Sequence, residues 1–259
     1  PTTHTMRTLR FALRTLFRTP FVTTIAVVSL AFGIGANSAI FSLFDQMLLR
    51  PLPVARPAEL VDLAAPGPKP GSQSCNQAGD CDAVFSYLMF RDLEKDNGEA
   101  FAGIAALRLF GVNLAYNGQT LNSQGVFVSG SYFPVLGLQP ALGRLIDPGD
   151  DRATGEGRVV VLRHEYWQTQ FGGSPAVLNT SMIVNGTAMT IVGVAPRGFD
   201  GTTLGGRPDV FVPITMRSVL QAPFNGFERR QNYWIYLFAR LAPRSEEHTS
   251  ELQSRLHLV

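Results

Sequence analysis

From Phe21 to Phe44 the chain runs for 24 residues without a charge, and twelve of them are Phe, Ile, Leu or Val. As a helix rising 1.5 Å per residue the run is roughly 36 Å long, enough to cross a hydrocarbon core of about 30 Å with some tilt. Its large apolar side chains favour insertion by on the order of 4 to 7 kcal/mol, which Asn37 and two glycines reduce without reversing. Just before it, Arg7, Arg10, Arg14 and Arg18 recur every three or four residues as one helical stripe, with Leu9, Leu13, Leu16 and Phe17 on another face. This is the pattern of an amphipathic helix at a membrane surface, its arginines suited to anionic headgroups of the lipid bilayer. The pattern predicts a cytoplasmic amphipathic basic helix over 1–19 and a transmembrane helix over 20–46. No acidic residue precedes Asp45, so the excess of positive charge places the first end in the cytoplasm and the chain after Asp45 outside. A cleaved signal peptide is the alternative, with Ala36-Asn37-Ser38 as a small-residue cleavage site. The apolar run through Phe44 and the long basic region favour an uncleaved anchor.

Beyond the span the periodicity shortens. Pro51, Pro53 and Pro57 start an extended lead-in, "ELVDLA" (59–64) reads as a strand, and 65–82 is a Pro- and Gly-rich loop. Phe85, Leu88, Met89 and Leu93 have helical spacing, predicting a helix over 83–97 with Asp82 as its N-cap. Two hairpins are predicted around Asn117-Gly118 and Asn185-Gly186, the second with Met182, Val184, Met189 and Ile191 near its turn. "SYFPVLG" reads as a short helix ended by glycine. "RVVVL" reads as a buried strand, followed by a helix from His164 to Phe171 that Gly172-Gly173 stops. "DVFVPI" and "NYWIYLFARLAP" supply two further strands, the alternation of the second pointing to core packing. The fold class that follows is α+β, a transmembrane helix followed by a domain with a strand-rich middle.

The Gly33-Ile34-Gly35 run is not a dinucleotide fingerprint. The third glycine is replaced by Ser38, and the preceding apolar run is twice the length of a strand. Gly33, Gly35, Ala36 and Ala39 instead form a small-residue face on which another transmembrane helix can pack. The 259 residues carry 22 basic and 20 acidic side chains, a net +2. The arginines before the span and the acidic last fifteen residues leave the middle balanced, with no electrostatic footprint for nucleic acid. Cys75 and Cys81, in "CNQAGDC", are candidates for a disulfide closing a small ring if the loop is outside. A metal site lacks a nearby histidine, and free thiols are the remaining reading.

Motifs for catalysis fail on inspection. "HEYWQ" begins like a zinc helix, but Gln168 stands where the second histidine is needed. Ser129 and Ser131 lack a nucleophile elbow, so an anchored hydrolase would have to rely on His164 alone. Asp147, Asp150, Asp151 and Glu156 lack the alternating spacing of a calcium loop and read as a solvated turn. No phosphate-binding GxxxxGK[ST] occurs, so an ATP-driven process needs another polypeptide. No catalytic, cofactor-binding or metal residue is assigned.

The stretch "LRFALRTLFRTPFVTTIAVVSLAFGIGANSAIFSLFDQMLLRPLP" resembles the opening of MacB-type ABC transporter permeases, in particular the bacterial group with duplicated permease halves. "VSGSYFPVLGLQPALGRLIDPGDD", "VVVLRHEYWQTQFGG" and "MTIVGVAPRGFDGT" resemble successive blocks of that family's periplasmic core domain. The likeness covers about residues 6–243. It implies a porter-like α+β periplasmic domain over 50–243 with an inserted strand-rich lobe at about 101–208. It also implies an inner-membrane permease fragment that lacks three further helices and works with a separate ABC ATPase subunit. Its expected partners are a second permease half or a second copy, and a periplasmic adaptor. The implied role is efflux or export driven by periplasmic motion, or lipoprotein extraction as in relatives, with no catalytic residue in the permease itself. A complete single-pass anchored binding or adaptor domain is the rival. The last residues, 245–259, resemble the translated remnant of a sequencing adapter and are set aside from the fold.

Overall fold

The structure is a computed structural model that describes residues 20–44, 53–96, 98 and 100–243. The arginine stripe of Arg7, Arg10, Arg14 and Arg18, and the tail over 245–259, lie outside the described residues. The chain divides into two compact units, Pro1–Pro51 and Leu52–Val259.

In the first unit, helix α1 spans Pro20–Phe44. The Thr24 hydroxyl folds back to donate to the Pro20 carbonyl at 2.8 Å. Within it, Pro20–Ser42 is long and apolar enough to cross a membrane.

The second unit is built on one eleven-stranded mixed sheet. Its strands in chain order are β1 (Leu60–Leu63), β2 (Ser72–Gln73), β3 (Val84–Ser86), β4 (Phe101–Tyr116), β5 (Gln119–Val128), β6 (Leu142–Gly143), β7 (Val159–Leu162), β8 (Ser181–Val184), β9 (Thr187–Val194), β10 (Val210–Pro213) and β11 (Asn232–Leu241). The main path runs β1-β11-β4-β5-β10-β7-β9-β6, with β2 and β3 on β11 and β8 bridging β4 and β9. Among the described residues four short α-helices accompany it: α2 (Tyr87–Lys95), α3 (Tyr132–Leu136), α4 (His164–Phe171) and α5 (Arg217–Leu220).

Both hairpins form as the turn chemistry requires. Asn117 and Gly118 take φ of 47° and 77°, and Asn185 and Gly186 take 45° and 79°, the paired positive values of a two-residue turn that matches strand twist. The 16-residue β4 is long enough to pair with β11 at its start and with β5 and β8 further on.

The sheet is buried on both faces. One face carries Ile104, Phe127, Ile191 and Trp234, with Phe90 of α2 and Tyr166 of α4 packed over it. The other carries Leu107, Val126, Phe211 and Phe238, with Tyr132 and Phe133 of α3 and the loop residue Phe199 above. Each fully buried Phe or Leu contributes about 1.5 to 3 kcal/mol. The four residues of β10 are all buried, and so are Tyr233 to Arg240 of β11, because those strands lie between neighbours and under both layers. That two-sided burial, not alternation, explains the unbroken apolar reading of "NYWIYLF".

One expected boundary moves. The helix expected over 83–97 begins only at Tyr87, and its cap is Ser86, not Asp82: the Ser86 hydroxyl accepts from the Met89 N–H at 3.3 Å. Val84–Ser86, fully buried, pairs with β11 instead, so strand pairing overrides the apolar spacing there.

Candidate functional site

On α1 every side chain from Phe32 to Phe41 is exposed, as a helix in lipid requires, and a Cβ built at Gly33 or Gly35 would meet nothing within 4 Å. The small-residue face expected at Gly33, Gly35, Ala36 and Ala39 is thus exposed on the described helix.

In the second unit, three segments remote in sequence meet on the sheet face that carries Leu107, Tyr236 and Phe238. The first is the ring closed by a disulfide between Cys75 and Cys81, whose Cα atoms are 5.1 Å apart. The ring is fastened to the sheet by one hydroxyl and one side-chain amide. Tyr236 Oη accepts from the Asn76 N–H at 2.8 Å and donates to the Gly79 carbonyl at 2.8 Å. The Asn76 amide donates to the Leu109 carbonyl at 2.7 Å, and its oxygen accepts from the Ala78 N–H. Gly79 lies flat on the Tyr236 ring, since a Cβ there would stand 2.9 Å from Cε1. Buried Arg108 anchors the start of the ring, donating to the Ser74 carbonyl and hydroxyl and to the Trp234 carbonyl. Burial lowers its pKa, but all three acceptors are neutral oxygens that satisfy the guanidinium geometrically.

The second segment is the loop over 200–206. Its base is held by Arg163, which pairs with Asp209 at 2.6 Å and Asp200 at 3.4 Å, and by a hydrogen bond from the Ser123 hydroxyl to Asp209. Its tip carries Leu204, 64% exposed, the most open large apolar side chain of this unit among the described residues. The third segment is β1. Between the three lies a cleft of about 230 Å³, with Asp62, Ala78, Leu107, Thr203, Leu204 and Leu237 in its walls.

Arg240 fixes what comes before β1. Its guanidinium, 7% exposed, donates to the carbonyls of Val135, Ala55 and Arg56 and pairs with Glu59 at 3.1 Å. The chain that follows the first unit is thereby bound to both β11 and α3.

The acidic turn at 146–158 differs from its sequence reading. Asp147 and Asp150 are engaged by Arg144, with Asp150 at 2.6 Å, but Asp151 is only 4% exposed. It accepts from the N–H groups of Gly130 and Thr215 at 3.1 and 3.2 Å, tying three loops together. Burial raises its pKa from 3.8 to about 6, against the smaller opposing effects of those donors and of Arg91. The candidates for hydrolysis have structural roles. Ser129 is buried, and its hydroxyl accepts from the Ala106 N–H. The His164 ring stacks edge-on to Trp167 at 5.5 Å. Among the described residues no group of three His, Cys, Asp or Glu side chains converges to hold a metal.

A helix able to cross a membrane, in one chain with a disulfide-bearing α+β unit, is the build of a membrane-anchored extracytoplasmic domain. The model of the MacB-like periplasmic core domain matches residues 23–256, and the chain belongs to that family, the periplasmic domains of ABC-type transporter permeases. Two solved structures are similar to it. The extracellular domain of the ABC-type transporter YknZ from Gram-positive bacteria is 15% identical, with a TM-score of 0.47 over 66% of this chain and 78% of that one. The periplasmic region of MacB from Actinobacillus actinomycetemcomitans is 17% identical, with a TM-score of 0.49 over 72% and 82%. No curated protein matches the chain.

Proposed function

We propose that the chain is part of the permease subunit of an ABC-type efflux or export system in a bacterial inner membrane. In this reading α1 spans the bilayer with its arginine-bearing end in the cytoplasm. The domain over 50–243, with its strand-rich lobe at about 101–208, stands in the periplasm. The single observation that carries the reading is the match to the family model over residues 23–256. ATP is bound and hydrolysed by a separate subunit, and the small-residue face of α1 packs against a second permease half or a second copy. A periplasmic adaptor is a further candidate partner.

The permease is a non-catalytic coupling element in this proposal. Arg240 supports it mechanically: a displacement of the segment at 55–59 reaches β11 and α3 through one buried guanidinium with four partners. Purification of the full gene product from native membranes tests the reading. A nucleotide-binding subunit should co-purify, and its ATP hydrolysis should change when Gly33 and Gly35 are both replaced by Leu. A gene product that purifies without any nucleotide-binding subunit overturns the proposal and leaves an anchored binding or adaptor domain.

A further inference from the structure

An exposed strand edge needs a guard, because its row of unpaired N–H and C=O groups is a template for another chain. The path of this sheet ends at β1 and β6. β1 is four residues long and carries exposed Asp62, and β6 has only two residues, so both ends are guarded. A third edge lies inside the path. β10 pairs with β5 only over Gly125 to Val128, which leaves the outer side of β5 without a strand from Gln119 to Gln124. The Tyr116–Gln119 pair closes the two-residue turn, so the alternation of the ladder points the backbone groups of Thr120, Asn122 and Gln124 outward. Two contacts agree with that phase. The Asp209 N–H donates to the Gln124 carbonyl at 2.8 Å, and the Asn185 N–H donates at 2.9 Å to the carbonyl of Asn113, which stands opposite Asn122. Among the described residues no backbone hydrogen bond reaches the outward groups of Thr120 and Asn122.

This edge is unguarded. It runs in unbroken register against β4, with no bulge, proline or charge. From Leu109 to Gly143 and from Tyr166 to Pro196 the chain carries no charged side chain. Those stretches build both Asn-Gly hairpins and most of α4, whereas a soluble surface is typically about 25 to 35% charged. Depletion of charge marks the core of a protein interface. Gln119 to Asn122 are all exposed, and Leu121, 41% exposed, stands at a cleft of about 200 Å³ with Tyr116, Tyr166 and Phe171 in its walls.

We infer that the open stretch of β5 pairs with the same stretch of a second copy of this chain, antiparallel about a two-fold axis at Leu121. This register uses both outward residues: Thr120 of each copy faces Asn122 of the other, giving four main-chain hydrogen bonds. An axis at Asn122 would set Thr120 against Gln124, whose carbonyl Asp209 already occupies. An axis at Thr120 would set Asn122 against Gly118 in the turn. At Leu121 the two leucines meet as a non-hydrogen-bonded pair, with Cα atoms about 4.5 Å apart, at the mouths of the two clefts. An uncharged strand suits a copy of itself, because a charge at the axis of a two-fold pairing would meet its like. The contact is small, and anchoring of both copies in one membrane supplies the effective concentration it needs. The inference deepens the second-copy partner proposed above and rests on that reading for the shared membrane.

The test uses the full chain in liposomes without any ATPase, with single added cysteines oxidised by copper phenanthroline while the native Cys75–Cys81 bond stays closed. Leu121→Cys should give about tenfold more covalent dimer than Ile183→Cys, a side chain nearly as open at 38% but on β8. Thr120→Cys and Asn122→Cys on separate copies should link to each other more than either links to itself. Asn122→Pro removes an outward N–H that β4 does not use, and should lower the Leu121→Cys yield about tenfold. Thr120→Lys, which puts a charge on the edge and leaves the backbone intact, should do the same. Unchanged thermal unfolding of both variants shows that the hairpin persists. A dimer yield at Leu121→Cys no greater than at Ile183→Cys, or one that neither Asn122→Pro nor Thr120→Lys lowers, would overturn the inference. Linking is read without nucleotide or ATPase, so that result leaves the transport reading standing, and a gene product that purifies without an ATPase leaves the linking result intact.

Discussion

Asp151 offers a measurable conflict between burial and hydrogen bonding. Its carboxylate has what a charged group wants, two backbone N–H donors at 3.1 and 3.2 Å, yet it is nearly sealed from water at 4% exposure. Burial is the larger effect, and the pKa stands at about 6 in place of 3.8. The folded protein therefore holds this proton more tightly than the unfolded chain. The stability it brings is fully present below pH 3.8 and is lost as pH rises through about 6. Two pH units at 1.36 kcal/mol each make the loss about 3 kcal/mol between pH 4 and 7.

Other carboxylates titrate across the same range, so the quantity to measure is a difference. Asp151→Asn keeps the shape and one acceptor and removes the ionisation. Urea unfolding of the unit from Leu52 onward, followed by Trp234 fluorescence at half-unit pH steps, gives the stability of each form. Wild type should lose about 3 kcal/mol relative to the variant between pH 4 and 7, with a flat difference above pH 7. At neutral pH the variant avoids the buried charge but leaves one N–H without its acceptor, a penalty of about 1 to 3 kcal/mol, so the two forms should lie close together. A difference that stays constant over the whole range would show that burial does not govern this carboxyl. A wild type that gains stability relative to the variant with rising pH would show that the two amides win, and would refute the reasoning outright.

The Cys75–Cys81 ring should be oxidised in the native compartment, so thiol labelling of denatured protein should rise from near zero to two groups on reduction. Removing the bond with a Cys75→Ser, Cys81→Ser double variant should lower stability by about 2 kcal/mol for so short a ring. Tyr236→Phe should lower stability by about 1 to 3 kcal/mol, because it strands the Asn76 N–H and the Gly79 carbonyl. Amide exchange at Asn76 and Ala78 should accelerate in that variant while exchange in β4 stays slow. The chain should remain with the membrane through an alkaline wash, and a reporter fused just beyond Arg50 should read as extracytoplasmic. A cytoplasmic reporter would reverse the proposed orientation.

What the sequence makes legible is what neighbouring residues determine. The 24-residue uncharged run becomes α1, and the two Asn-Gly pairs become hairpins, because a turn needs only its own φ values. Gly137 and Gly172, both left-handed, end α3 and α4 as the pattern requires. The failures have one cause, partners distant in the chain. Ser86 replaces Asp82 as a cap because β3 is drawn onto β11, some 150 residues away, and no local spacing records that pairing. Asp151 looks solvated among three acidic neighbours until Gly130 and Thr215 close over it.

The cleft is the more instructive case. The Tyr236 hydroxyl holds a ring 160 residues away, and the wall opposite comes from a third segment, so no motif could announce the site. Yet one residue does break a rule in plain view. In "LVDL", Leu60 and Asp62 share a face by strand period, and an acid where the period calls for an apolar side chain is a local inconsistency. The Asp62 side chain is exposed and β1 ends the ladder beside β11, so the charge there guards a sheet edge against pairing with another strand, a role set by the strand's place in the sheet that its own four residues do not record.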